Sequence, residues 1–256
     1  STGVNLINRV FARVVQARPL LSAQMKMEEG ERLLLTKRQI QTLDLLSRQH
    51  RVAISGGAGT GKTVLAVEKA MRLAEEGFET LLTCYNVPLS LHLEEVCRGQ
   101  KNLQVLGFHK LCKHIVDKVC MDTGRDLIAE AKASFPGLGL WEHYFPLALS
   151  YALEIDHTRY DAIVVDEGQD FGEEYWLPIE MLLRNSSSSP LYIFHDENQN
   201  VYSRASTFPA DASPITLSFN CRNTKTIHDQ AYVYYQGPYI EGPELSGDKI
   251  LVLAAP

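Results

Sequence analysis

The chain is poor in cysteine: five in 256 residues, at positions 84, 97, 112, 120 and 221, with no C-x-x-C pair among them. That scatter excludes a disulfide scaffold and reads as reduced thiols in a reducing, cytoplasmic setting. Long apolar runs are also lacking. None approaches the ~18–20 residues that cross a bilayer, and the start has no basic-then-apolar leader pattern, so no membrane partner is expected. Excess positive charge is missing too: 25 Lys/Arg stand against 31 Asp/Glu, a net charge of −6. A protein that coats nucleic acid by bulk charge is thereby excluded, while a local basic groove is not. With 45% apolar and 22% charged residues, the chain has the means to build a sizeable core rather than remain disordered.

The charge that is present is unevenly spread. Residues 1–38 carry seven Lys/Arg against three Asp/Glu, and residues 160–256 carry five against 14. In residues 4–17 apolar side chains recur at helical spacing, which predicts an amphipathic helix, and residues 20–30 predict a second. From residue 35 onward short apolar runs alternate with helical ones. Strands are predicted at residues 51–55, 80–85, 103–108, 162–166, 191–195 and 215–219, each buried on both faces of a parallel sheet. The clearest helix spans residues 63–76 and ends at Gly77. This alternation is that of a parallel α/β domain. Residues 111–158 break the rhythm and read as a small, mostly helical insertion. The expected organisation is a helical segment at 1–34 and an α/β domain at 35–256.

Between the first predicted strand and that helix lies Gly56-Gly57-Ala58-Gly59-Thr60-Gly61-Lys62-Thr63. It satisfies G-x-x-x-x-G-K-[ST] in the strand–loop–helix setting that the chemistry needs. Gly57, Ala58, Gly59, Thr60 and Gly61 would wrap their backbone N–H groups around a triphosphate beside a helix N-terminus that favours anions. Lys62 supplies a point charge to the β- and γ-phosphates, and the Thr63 hydroxyl can ligate Mg²⁺.

The strand at 162–166 ends in Asp166-Glu167-Gly168-Gln169-Asp170. Acids at the C-terminal end of a parallel strand stand where such sheets bind ligands. Asp166 is placed to share Mg²⁺ with Thr63, and Glu167 to orient the water that attacks the γ-phosphate. Mechanics determine Gln169 and Asp170 less.

A guanine-reading N-K-x-D is absent, and D-E-x-Q-D is not a need of nucleotide kinases. The segment resembles motif II of superfamily 1 helicases of the UvrD/Rep group, and the resemblance runs in chain order across roughly residues 35–224. It implies a RecA-like, P-loop α/β domain, ATP and Mg²⁺ as cofactors, and DNA, single-stranded or partly duplex, as partner, with RNA left open. Residues 35–39 are similar to the family's Q motif, in which Gln39 would read adenine. Tyr85 and Asn86 stand at motif Ia and His109 at motif Ib, both on the nucleic-acid side. Residues 195–202 resemble motif III, where Gln199 would sense the γ-phosphate and Tyr202 and Arg204 would face the strand. Residues 217–224 resemble motif IV, where Arg222 would contact the γ-phosphate. The wording around Cys84 and Cys221 is similar to bacterial members of the nuclease-related-domain-linked group.

The departures from that pattern bear on strand handling. Motif III continues Tyr202-Ser203-Arg204 without its usual Trp, so Arg204 is either a planar stacking cation or a solvated one. Motif Ia has no Phe, leaving Tyr85 as either a stacking ring or strand filler. His195 replaces a Gly, and Cys221 a Tyr that packs on adenine. Motifs V and VI, with the second RecA-like domain's arginine finger, are not in this sequence. The expectation is therefore a first motor domain that binds ATP·Mg²⁺ and by itself hydrolyses it slowly. The alternative is a nucleotide-dependent nucleic-acid-binding or regulatory module without unwinding activity.

Overall fold

The computed structural model describes residues 41–44, 49–196, 208–210, 215–219, 225–233 and 239–242. All lie in the compact unit Gln41–Pro256. The expected N-terminal helices and the candidates Gln39, Gln199, Tyr202, Arg204 and Arg222 lie outside the described residues.

Among the described residues six strands form one sheet: β1 (Arg51–Gly56), β2 (Thr80–Cys84), β3 (Leu103–Gly107), β4 (Ala162–Asp166), β5 (Leu191–His195) and β6 (Ile215–Leu217). Their order is β3-β2-β4-β5-β1-β6, and every pairing is parallel. Strands β1, β2, β4 and β5 are buried along their whole length, as continuous β-branched and aliphatic runs require between two helical layers. β3 is a correction to the expectation of two-sided burial: among the described residues it is an edge strand, paired only with β2, and Gln104 on it is exposed. It also stops at Gly107, because Phe108 already starts the following helix. β6, the other edge, pairs with β1 over three residues and is shorter than expected.

Complete helices among the described residues are α1 (Lys62–Glu75), α2 (Val87–Val96), α3 (Phe108–Thr123), α4 (Leu127–Ser134), α5 (Phe145–Leu153), α6 (Trp176–Met181) and α7 (Lys225–Tyr232). α1 starts one residue before the expected helix and ends at Glu75, followed by Gly77 at φ +96°. In α3, Phe108, Leu111, Cys112, Ile115, Val116 and Val119 form one buried stripe at helical spacing. Residues 111–158 are largely helical, with a π-helical turn at Leu140–Tyr144. Leu111, Ile115, Leu149 and Leu153 from this stretch share one core with Ile163, Val165 and Ile193 of the sheet. Arg51 anchors the start of β1 on Glu180 and the carbonyls of Ser186 and Pro209. Among the described residues no helix is long and apolar enough to cross a membrane.

Candidate nucleotide site

The loop of residues 56–63 leaves the C-terminal end of β1, between β5 and the edge strand β6, and runs into α1. Gly59 and Gly61 sit at φ +86° and +83°, a left-handed backbone that a Cβ disfavours. Gly61 is the N-cap of α1 and no side chain caps the first turn. The leading N–H groups of the helix therefore remain for an anion, with the helix dipole in its favour. Gly56 is needed for space: a Cβ there would lie 2.6 Å from the Thr60 hydroxyl oxygen and 3.0 Å from Leu217 Cβ. The Thr60 hydroxyl donates to the Gly57 carbonyl at 2.9 Å, tying the loop's tip to its base.

Lys62 folds back into this loop. Its Nζ donates to the carbonyls of Gly56 (2.7 Å) and Gly57 (3.1 Å) and to Asp196 Oδ2 (3.2 Å). Both partners of the ion pair are buried. Asp196 directly follows β5, the strand next to β1.

β4 delivers Asp166 to the same end of the sheet, in register with Cys84 of β2. Asp166 is fully buried, and neither carboxylate oxygen makes a hydrogen bond of normal geometry to a described residue. Burial first, and the Glu167 charge second, push its pKa up to about 7, against the Thr63 hydroxyl, the Glu167 amide and the Lys62 ammonium, which hold it down. Thr63 and Asp166 thus lie on the same side of the molecule, close enough for the hydroxyl to act on the carboxyl. An orphaned buried carboxylate beside a threonine hydroxyl is a donor set that fits a hard divalent cation such as Mg²⁺. Burial, with the negative charge of Asp166 and Glu167 behind it, pushes the neighbouring Cys84 thiol up to about 12, so that group is neutral filler.

Glu167 breaks the strand with a left-handed backbone, φ +53° and ψ +48°. For a residue with a Cβ this is uncommon and marks a position the surroundings enforce. Its carboxylate accepts a 2.5 Å hydrogen bond from Gln169 Nε2, and Gln169 Oε1 accepts one from the Asp196 N–H at 2.9 Å. Gly168 lets the loop press on β5, since a Cβ there would lie 2.6 Å from Ile193 Cγ2.

Of the expected nucleic-acid residues, Tyr85, Asn86 and His109 are described, and they follow the C-terminal ends of β2 and β3. Tyr85 and His109 meet edge to face at 4.6 Å. Tyr85 also touches Phe171 and Tyr175, and His109 meets Trp141, which stacks on Phe145 at 4.3 Å. Tyr85 and His109 are partly buried members of this cluster, and burial lowers the His109 pKa against the opposing pull of Glu142. The Asn86 side-chain oxygen accepts the Leu89 N–H at 3.0 Å and caps α2. The strand-end residue His195 is buried against Phe208. Sequence reasoning did not single out Asp196 or the two-ended bond of Gln169. The D-x-x-Q spacing after β5 was the signal available for the former.

A parallel sheet with a glycine-rich loop on β1 and an acidic tip on the adjacent half defines a P-loop nucleotide-binding domain. Residues 39–205 match the family described as an AAA domain, and the chain belongs to that family, a P-loop family of helicase-like proteins. Comparison with curated proteins returned no match.

Proposed function

We propose that this chain is the ATP-binding and hydrolysing first motor domain of a superfamily 1, UvrD/Rep-type DNA helicase or translocase. The observation that carries the nucleotide part is the buried, unpartnered Asp166 carboxylate facing Thr63 beside the phosphate loop. The ordered motifs of the sequence carry the motor part.

In this reading the N–H groups of the loop and the first turn of α1 hold the phosphates, and Lys62 neutralises the terminal ones. Thr63 and Asp166 hold Mg²⁺, which when bound offsets charge on the phosphate oxygens. Glu167 accepts a proton from the attacking water and orients it in line. Gln39 reads adenine, Gln199 and Arg222 face the γ-phosphate, and a second RecA-like domain completes the site. Tyr85, Asn86, His109, Tyr202 and Arg204 form the strand side.

A second reading, a nucleotide-dependent binding or regulatory module, has its own support. Asn86 is used as a helix cap, and Tyr85 and His109 are turned into an aromatic cluster. A fluorescent single strand titrated with and without a non-hydrolysable ATP analogue separates the two. The motor reading expects strand affinity that changes with nucleotide. Nucleotide binding with no strand binding, also in the presence of the second RecA-like domain, would favour the module.

A further inference from the structure

We propose that Asp196 is an internal occupant of the phosphate loop, displaced from Lys62 when nucleotide binds, and that Gln169 passes this displacement to Glu167. The proposal rests on reading the loop as a nucleotide site, and deepens it by assigning a positioning role to two residues outside the phosphate-holding set.

An ammonium has three protons to donate, and Lys62 spends all three: on Gly56 O, Gly57 O and Asp196 Oδ2. An incoming phosphate oxygen must therefore replace one of these acceptors. The two carbonyls belong to the loop's own backbone and cannot leave without unfolding it. The third acceptor is a carboxylate from a different element, 1% exposed and 3.2 Å from Nζ. A phosphate brought to the same ammonium stands against that carboxylate as a like charge in a site largely shut off from water, so the carboxylate is the group that yields.

Movement of Asp196 is felt at Glu167 through one side chain. The Gln169 carboxamide is used at both ends, its oxygen on the Asp196 N–H and its nitrogen on the Glu167 carboxylate. Only this orientation of the amide satisfies both neighbours, one a donor and the other an acceptor. Gly168 sets the distance, because the loop reaches β5 only where no Cβ stands against Ile193. Without nucleotide, Glu167 is held sideways by Gln169. Release of the Asp196 carboxylate lets the backbone at the end of β5 shift and withdraw its N–H from the Gln169 oxygen, and the carboxylate of Glu167 can then turn to the water.

The test is affinity for a fluorescent ATP analogue with Mg²⁺, measured on this chain and its variants. Asp196→Asn keeps the shape and removes the competing charge, so it should bind roughly tenfold tighter, the worth of about one charge-assisted hydrogen bond. Affinity that is unchanged or weaker in a folded Asp196→Asn protein overturns the latch. Gln169→Ala removes the restraint on Glu167, so it should bind the analogue within about twofold of wild type and hydrolyse ATP in a single turnover at least as fast as wild type; a tenfold or greater fall in hydrolysis with binding intact overturns the relay. Hydrogen exchange on the unmodified chain covers the case in which Asp196→Asn does not fold. The segment ending β5 should exchange faster when nucleotide is added, and protection there refutes displacement. If the analogue binds wild type and Lys62→Ala weakens it while Asp196→Asn does not tighten it, the latch alone falls. If wild type binds no analogue, the nucleotide reading falls with it.

Discussion

Asp166→Asn should make the metal-free protein more stable, and only at a pH where the carboxylate would otherwise be ionised. The side chain is fully buried without a well-formed hydrogen bond, and its pKa stands at about 7 through burial and the Glu167 charge. An unfolded aspartate releases its proton near pH ~4. Between about pH 4 and pH 7 the folded chain thus keeps a proton that the unfolded chain has lost. Stability falls with rising pH across that window and stays at the lower level above it. Three pH units correspond to roughly 4 kcal/mol at most. The asparagine amide is itself buried with imperfect partners, which takes back about 1–2 kcal/mol. A net gain of about 2 kcal/mol at pH 8 would raise Tm by roughly 4–8 °C. The assay is thermal unfolding of both proteins in a chelator at pH 5 and pH 8. The gain should appear at pH 8 and shrink or vanish at pH 5. A variant less stable than wild type at pH 8, or a gain equal at both values, would refute the reasoning.

Glu167→Gln should leave binding of an ATP analogue near the wild-type level and cut hydrolysis in the complete motor by at least about 10²-fold, the usual scale of a lost general base; intact turnover would remove Glu167 from that role. Gly61→Ala places a Cβ on a left-handed backbone, so denaturant unfolding should show a loss of about 1–2 kcal/mol, and nucleotide titration a weaker complex. Burial works to raise the Asp156 pKa, but hydrogen bonds from Lys118 and Thr158 outweigh it and bring it down to about 2. That stability is present above about pH 4 and is lost as pH falls toward 2. Lys118→Met should flatten this acid limb, and only slightly, because Lys118 is more than half exposed and water screens the pair; an unchanged acid transition would show the pair to be inert.

The parallel sheet was legible in the sequence because strands buried on both faces must be continuous apolar runs, and those at 51, 80, 162 and 191 are. The edge strand at 103–107 was legible as a strand but not as an edge: Gln104 looks like any polar interruption until β2 is seen to be the one strand beside it among the described residues. The boundary at Phe108 was misplaced because an aromatic residue suits a strand end and a helix start equally well. Residues 56–63 announced themselves, since a loop that binds phosphate through its backbone needs glycines at fixed positions and one lysine. Asp166 was equally plain from its place at a strand tip.

What the sequence by itself determined was thus the part whose chemistry depends on local spacing: loop, helix start and acidic strand end. Tertiary structure alone decided which side chains share that chemistry. Only the order β4-β5-β1 carries Asp196 to Lys62 and lets Gln169 bridge two elements. Only packing decided that Asn86 caps a helix and that Tyr85 lies among other rings. The physical reason is the same throughout. Backbone conformation and phosphate contact are set by neighbours in the chain, whereas ion pairs and ring contacts are set by neighbours in space, more than a hundred residues away in the case of Lys62 and Asp196.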